Sequence, residues 1–146
     1  MASFTDMALS EARAAGAAGE VPVGCVIVRG GTVVARAGNR TLADADPTAH
    51  AELLAIRAAA ASLGSERLTE CDLYVTLEPC PMCAASTAFA RIRRLYYGAA
   101  DPKGGAVESG VRFFASPTCH HHPEIYGGMA AAEAAALLKE FFKERR

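Results

Sequence analysis

The chain has 146 residues, 51% of them hydrophobic, with 15 Lys and Arg against 16 Asp and Glu and a net charge of −1. That length and apolar content predict one globular domain over residues 1–146 with a modest core. The near balance of charge excludes a protein that grips nucleic acid through bulk positive charge, so any RNA contact has to come from a local basic patch.

No apolar run reaches membrane-spanning length, and Asp6, Glu11 and Arg13 stand where a signal peptide would need an apolar core, so no membrane or export role is expected. There are five cysteines, Cys25, Cys71, Cys80, Cys83 and Cys119. An odd count without an export signal argues for metal ligands and buried thiols in a reducing cytoplasm, not for disulfides.

Residues 4–17 are good helix formers ended by Gly16 and Gly19. Val23 to Arg29 and Thr32 to Gly38 are apolar, β-branched runs joined by Gly30-Gly31, which predicts a hairpin. Asp46 and Pro47 read as the N-cap and first position of a helix that runs to about Leu63, buries Leu53, Ile56 and Ala60, and stops at Gly64. Leu73 to Leu77 reads as a strand. Pro79 opens a second helix through about Ala90, and Leu95 to Tyr97 is another short strand. Residues 101–128 should be largely loop, and an Ala-rich helix spans 129–144. Strands alternating with helices imply parallel strands with helical crossovers. With the opening hairpin, the expected class is α/β, a three-layer α/β/α arrangement around a mixed central sheet.

The chemistry is carried by His50-Ala51-Glu52 and, downstream, Pro79-Cys80-Pro81-Met82-Cys83. His50, Cys80 and Cys83 supply three metal ligands of borderline softness, a set that suits zinc over magnesium or calcium. Glu52 is a carboxylate that need not bind the metal. Three ligands, a position left for water and a nearby base are what a catalytic zinc requires. The order also matches the zinc deaminase signature, in which the Glu is general acid and base. Zinc brings the pKa of water towards neutrality, and Glu52 would take the proton, deliver it to a ring nitrogen and later protonate leaving ammonia. The alternative is a structural zinc closed by a fourth ligand from Cys25, Cys71, Cys119 or His120-His121-His122, with Glu52 an ordinary helix residue.

Asn39, just before the helix, is either a turn residue after Gly38 or a partner for a base edge. Cys119 to His122 read as a polar loop at the mouth of the pocket, and Arg91, Arg93 and Arg94 as a solvated helix end. Leu137, Leu138 and Phe141 share an apolar stripe, which makes Phe141 core and leaves Phe142, Lys143, Arg145 and Arg146 as an amphipathic helix with a frayed basic end.

Along nearly its whole length the chain resembles the bacterial tRNA-specific adenosine deaminases of the cytidine deaminase superfamily. The resemblance is carried by Glu20-Val21-Pro22-Val23-Gly24, Gly38-Asn39-Arg40, Asp46 to Glu52 and Leu73 to Cys80, then by Arg91-Ile92, Gly98, Asp101, Lys103-Gly104-Gly105 and Phe141-Phe142 with Arg145-Arg146. It implies conversion of adenosine to inosine at the wobble position of an arginine tRNA anticodon, by a homodimer with one zinc per subunit. By similarity, His50, Cys80 and Cys83 bind zinc and Glu52 moves protons. Asn39 and the backbone of Ala51 and Glu78 hold the base. Asp101, Lys103, Phe142, Arg145 and Arg146 touch the anticodon stem-loop, which reverses the plainer reading of the C-terminal helix. Pro81 is also found in the free guanine deaminases of the superfamily, so deamination of a free nucleobase such as guanine or cytosine stands as the alternative.

Overall fold

The computed structural model describes residues 3–145. Helix α1 (Phe4–Ala17) starts in a capping box: Ser3 Oγ accepts from the Asp6 amide and Asp6 accepts in return from the Ser3 amide. Strands β1 (Gly24–Arg29) and β2 (Thr32–Gly38) form the expected hairpin, with Gly30 and Gly31 both at positive φ. Then follow α2 (Ala51–Leu63), β3 (Cys71–Leu77), α3 (Pro81–Phe89), β4 (Arg94–Ala99), a short 3₁₀ turn at Phe113–Ala115, β5 (Glu124–Tyr126) and α4 (Ala131–Glu144).

The sheet runs β2-β1-β3-β4-β5 and is mixed: β1 is antiparallel to both its neighbours, and β4 is parallel to β3 and β5. Strands β2 and β3 therefore point the same way, as helical crossovers require, although β1 lies between them. On one face, Cys25, Ile27, Leu73, Val75 and Leu95 pack against Ala55 and Ala59 of α2 and Ala84 and Ala88 of α3. On the other, Val26, Val28 and Tyr74 meet Phe4 and Ala8 of α1, while Leu9, Ala99 and Ala134 join α1 to α4. This is the three-layer α/β/α arrangement expected. Helix α1 lies so close to β1 that a Cβ on Gly24 would stand 2.0 Å from the Ala8 carbonyl oxygen, an approach that excludes any side chain there.

Five expectations about the elements change. Helix α2 begins at Ala51 with His50 as its cap residue, not at Pro47. Asp46 Oδ1 instead accepts from the amide and hydroxyl of Thr48 (2.8 and 2.7 Å), making a local turn. Its buried face is Ala51, Glu52, Ala55 and Ala59, not Leu53, Ile56 and Ala60, because small side chains let the helix lie close on the sheet. Helix α3 starts two residues later than expected, with Cys80 as cap and Pro81, not Pro79, in its first turn. Strand β5 within 101–128 was not anticipated; three residues with no alternation leave little periodic signal. Two of the three arginines after α3 are paired: Arg93 donates twice to Asp72 at 3.0 Å, and Arg94 lies 3.5 Å from Glu124.

Candidate active site

Two helix starts meet at the ends of β2 and β3. His50 caps α2 in an extended conformation, and Cys80 caps α3 the same way with Cys83 three residues on. Positive helix termini favour thiolate in the place where ligands are needed. The His50, Cys80 and Cys83 donor atoms all lie within 4.8 Å of one another, and His50 Nδ1 is 3.6 Å from each sulfur. A tetrahedral zinc with Zn–S of about 2.3 Å and Zn–N of about 2.0–2.1 Å requires N···S edges of about 3.6 Å, so the donor set fits the ion. Among the described residues no fourth His, Cys, Asp or Glu joins this trio. Cys25 is buried beneath the site, its thiol pushed well up by burial and by the charge of Glu52. His121 and His122 instead bond to the Ile92 and Pro123 carbonyl oxygens (2.7 and 2.8 Å), and their loop does not line the cavity. The closed structural zinc therefore has no fourth ligand here.

Contact with Cys83 pulls Cys80 down to about 4 despite burial, and His50 adds to the effect. Cys83 is raised by the same contact and by its own burial, while the hydrogen bond to Cys80 raises His50. Every ligand must be deprotonated to bind metal, so affinity falls with acid. Glu52, 4% exposed in the first turn of α2, is pushed up to about 7 by burial and by the charge at Cys80, with His50 opposing. A carboxyl in that range can both take and give a proton at neutral pH.

These groups open into a cavity of about 250 Å³ lined by Val21, Val23, Asn39, Thr41, His50, Glu52, Leu77, Glu78, Cys80, Asp101 and Gly104. Asn39 is more than a turn residue: its Nδ2 donates to the Val21 carbonyl (3.1 Å) and its Oδ1 accepts from the Ala51 amide (2.8 Å). A distant side chain thus caps α2. One further N–H of Asn39 remains for a substrate, whereas the Ala51 N–H is already engaged. The Glu78 N–H is likewise taken, by the Ala99 carbonyl at 2.8 Å, which leaves the Glu78 carbonyl on the backbone side.

The Glu78 carboxylate, which the motif gave no reason to single out, is 2% exposed and accepts from the amides of Asp101, Val107, Glu108 and Ser109 and from the Ser109 hydroxyl, at 2.9–3.1 Å. Behind Thr41 of the cavity lining, buried Glu20 accepts from the Leu42 and Ala43 amides (3.1 and 2.8 Å) and from the Thr41 hydroxyl. No local pattern finds either, since their partners lie more than twenty residues away. Asp101 reaches the cavity wall while its Oδ1 accepts from the Lys103 and Gly104 amides (3.3 and 3.0 Å); Lys103 is exposed on the rim.

At the far end of α4, Phe142 is 51% exposed and Arg145 lies over the Phe141 ring, 3.7 Å from its centroid. Phe141 and Pro22 line one groove, next to the cavity wall at Val21. The structure thus brings His50, Glu52, Cys80, Cys83, Asn39, Glu78 and Asp101 together, and sets Phe142 and Arg145 apart on the helix. Arg146 lies outside the described residues. No helix among these residues is long and apolar enough to cross a membrane.

Residues 1–99 match the family model of the cytidine and deoxycytidylate deaminase zinc-binding region. Over 143 residues, 98% of this chain and 94% of the relative, the sequence is 63% identical to a tRNA-specific adenosine deaminase of Agrobacterium fabrum. A solved structure from work on A-to-I editing by tRNA deaminases at the wobble position superposes with a TM-score of 0.91 at 64% identity, covering 92% of this chain and 98% of that one. A guanine deaminase of Bacillus subtilis is similar at 33% identity and a TM-score of 0.65, covering 97% and 91%.

Proposed function

Because the chain belongs to the cytidine and deoxycytidylate deaminase family of zinc proteins, we propose that it converts adenosine to inosine at the wobble position of an arginine tRNA anticodon. Hydrolytic deamination of adenosine in tRNA is the activity that 63% identity along nearly the whole of both chains supports. The observation that carries the chemistry is the open trio His50, Cys80 and Cys83, of which His50 and Cys80 line one cavity with the buried carboxyl of Glu52.

Zinc held by the trio would polarise water and bring its pKa towards neutrality. Glu52 would take one proton from water and pass it to the purine ring nitrogen as the water oxygen bonds to C6; it would then take the proton of the new C6 hydroxyl and give it to the departing amine as the C6–N bond breaks, so that adenosine and water give inosine and ammonia. The cavity takes one flat base extruded from the strand. Leu77, Val21 and Val23 supply its apolar walls, and the second N–H of Asn39 is directed to a ring acceptor.

In this reading Asp101 and Lys103 on the rim, with Phe142, Arg145 and Arg146 at the C-terminus, contact the anticodon stem-loop. Exposed Phe142 offers a stacking face and Arg145 a charge for phosphate. A homodimer with one zinc per subunit and a cytoplasmic site of action belong to the same proposal. The second reading, a free guanine or cytosine deaminase, draws on Pro81 and on the likeness to the guanine deaminase.

The zinc-loaded protein decides between them. Expected is inosine in an arginine anticodon stem-loop, with no ammonia from free adenosine, guanine or cytosine. Turnover of a free base with an untouched stem-loop would assign the protein to nucleobase metabolism.

A further inference from the structure

We propose that the Glu78 side chain is a positioning residue for the substrate: its buried carboxylate ties the 101–109 loop to the ligand-bearing segment and so sets the far wall of the cavity. The inference rests on the reading that this wall faces the base. Five donors converge on the two oxygens: the Asp101 amide and Ser109 hydroxyl on Oε1, and the Val107, Glu108 and Ser109 amides on Oε2. Among the described residues no cationic side chain pairs with Glu78; backbone N–H groups do that work, as in an anion-binding nest. Such bonds, with one charged partner, are about twice as strong as neutral ones.

Ala106 and Val107 are buried in the core, and the Phe113 amide donates to the Ala106 carbonyl at 2.7 Å, so the middle of the loop is packed as well as hydrogen-bonded. One backbone bond, from the Ala106 amide to the Pro79 carbonyl (2.8 Å), joins it to the same segment, and the Tyr97 hydroxyl reaches Glu108. Glu78 and Pro79 immediately precede Cys80, so their bonds register the loop on the ligand-bearing segment, while the Tyr97 contact ties it to β4. Its residues Asp101 and Gly104 line the cavity with Glu52 and His50. Moving the loop therefore moves the wall relative to the reacting groups.

The approach is tight. A Cβ at Gly105 would meet Glu78 Cδ at 2.5 Å, Glu78 Oε1 at 2.7 Å and the Asp101 carbonyl oxygen at 2.6 Å. Because Glu78 is buried and held on both oxygens, a methyl group at 105 would lift the loop while leaving every ligand and Glu52 in place.

Glu78→Gln and Gly105→Ala test this independently. In the glutamine variant an NH₂ faces amide donors, so bonds are lost without loss of shape. Both variants should retain one zinc per chain by metal analysis. The amides of residues 101 and 107–109 should lose hydrogen-exchange protection while those of α2 and β3 keep it. KM for the arginine anticodon stem-loop should rise about tenfold with kcat changed less than about threefold, the signature of lost binding and not of lost chemistry. KM within twofold of the parent in either folded variant overturns the inference, as does loss of zinc together with kcat, which would place the effect at the ligands. If Glu78→Gln does not fold, Gly105→Ala decides alone. The parent protein is run on free adenosine, guanine and cytosine beside the stem-loop. If only a free base reacts, the tRNA reading fails and the same KM comparison is made on that base.

Discussion

Glu52 carries the largest functional consequence of any single side chain. It lines the cavity with His50 and Cys80 but stands outside the ligand trio. Glu52→Ala should lower kcat by about 10²–10⁴-fold, the usual range for removing a general acid–base, with zinc still bound at one per chain. Metal analysis beside ammonia release checks both halves, and zinc lost along with activity would make Glu52 a ligand. Asn39 is a different case, because its amide joins Val21 to the first amide of α2. Asn39→Ala leaves that amide without its cap and should cost about 1–2 kcal/mol in denaturant unfolding. An unchanged midpoint would show that α2 starts without the bridge. Asn39 and Glu52 also show how much of the site single residues betray. A Glu two residues after a His, ahead of a Pro-Cys motif, has one economical chemical reading. An Asn after a Gly has two, and its actual partners are 12 and 18 residues away.

At the scale of elements, the ligands were legible because their spacing is local: Cys80 and Cys83 share one helical turn whatever the rest of the chain does. The helix starts were not. Asp46-Pro47 and Pro79 are good initiators in isolation, yet α2 begins at Ala51 because Asn39 captures its first amide, and α3 takes Pro81 because Cys80 is the cap. The buried stripe of α2 was also misplaced, since larger apolar residues outrank Ala in any pattern while only Ala permits close contact with β1 and β2. Helix α4 has the opposite character, a basic end with an exposed aromatic. Phe142→Ala and Arg145→Ala should leave stability within about 0.5 kcal/mol, as exposed substitutions do. Both should weaken stem-loop binding, and Arg145→Ala should lower the slope of log affinity against log salt by about one. Fluorescence anisotropy across a salt series measures this, and an unchanged slope would remove Arg145 from the interface.

For the whole molecule, two buried carboxylates hold segments that reach one cavity, Glu20 holding residues 41–43, of which Thr41 lines it, and Glu78 holding 101–109, of which Asp101 and Gly104 line it. Burial works against ionised Glu20, but the Leu42 and Ala43 amides and the Thr41 hydroxyl outweigh it and lower its pKa. A carboxyl with a depressed folded pKa stabilises the fold above its unfolded value of about 4.3 and loses that contribution as pH falls through the folded value. Glu20→Gln should therefore be less stable than the parent at pH 7, and the gap should narrow as pH falls below about 4. Denaturation midpoints of both proteins across that range give the answer, and a constant gap would show that ionised Glu20 is not the stabilising form.

Ligand type, spacing within a turn and strand-helix alternation are local or periodic properties, so the bare chain already marks His50, Cys80 and Cys83 as candidate metal donors, Glu52 as candidate proton carrier, and the α/β layering. Only the tertiary structure decided that the starts of α2 and α3 converge with His50 Nδ1 3.6 Å from both sulfurs and no fourth protein ligand among the described residues. It alone also showed that distant amides gather on Glu20 and Glu78 to shape the cavity. Such partners are joined by chain closure over twenty or more residues, and no pattern of neighbours encodes which amides a buried carboxylate will meet.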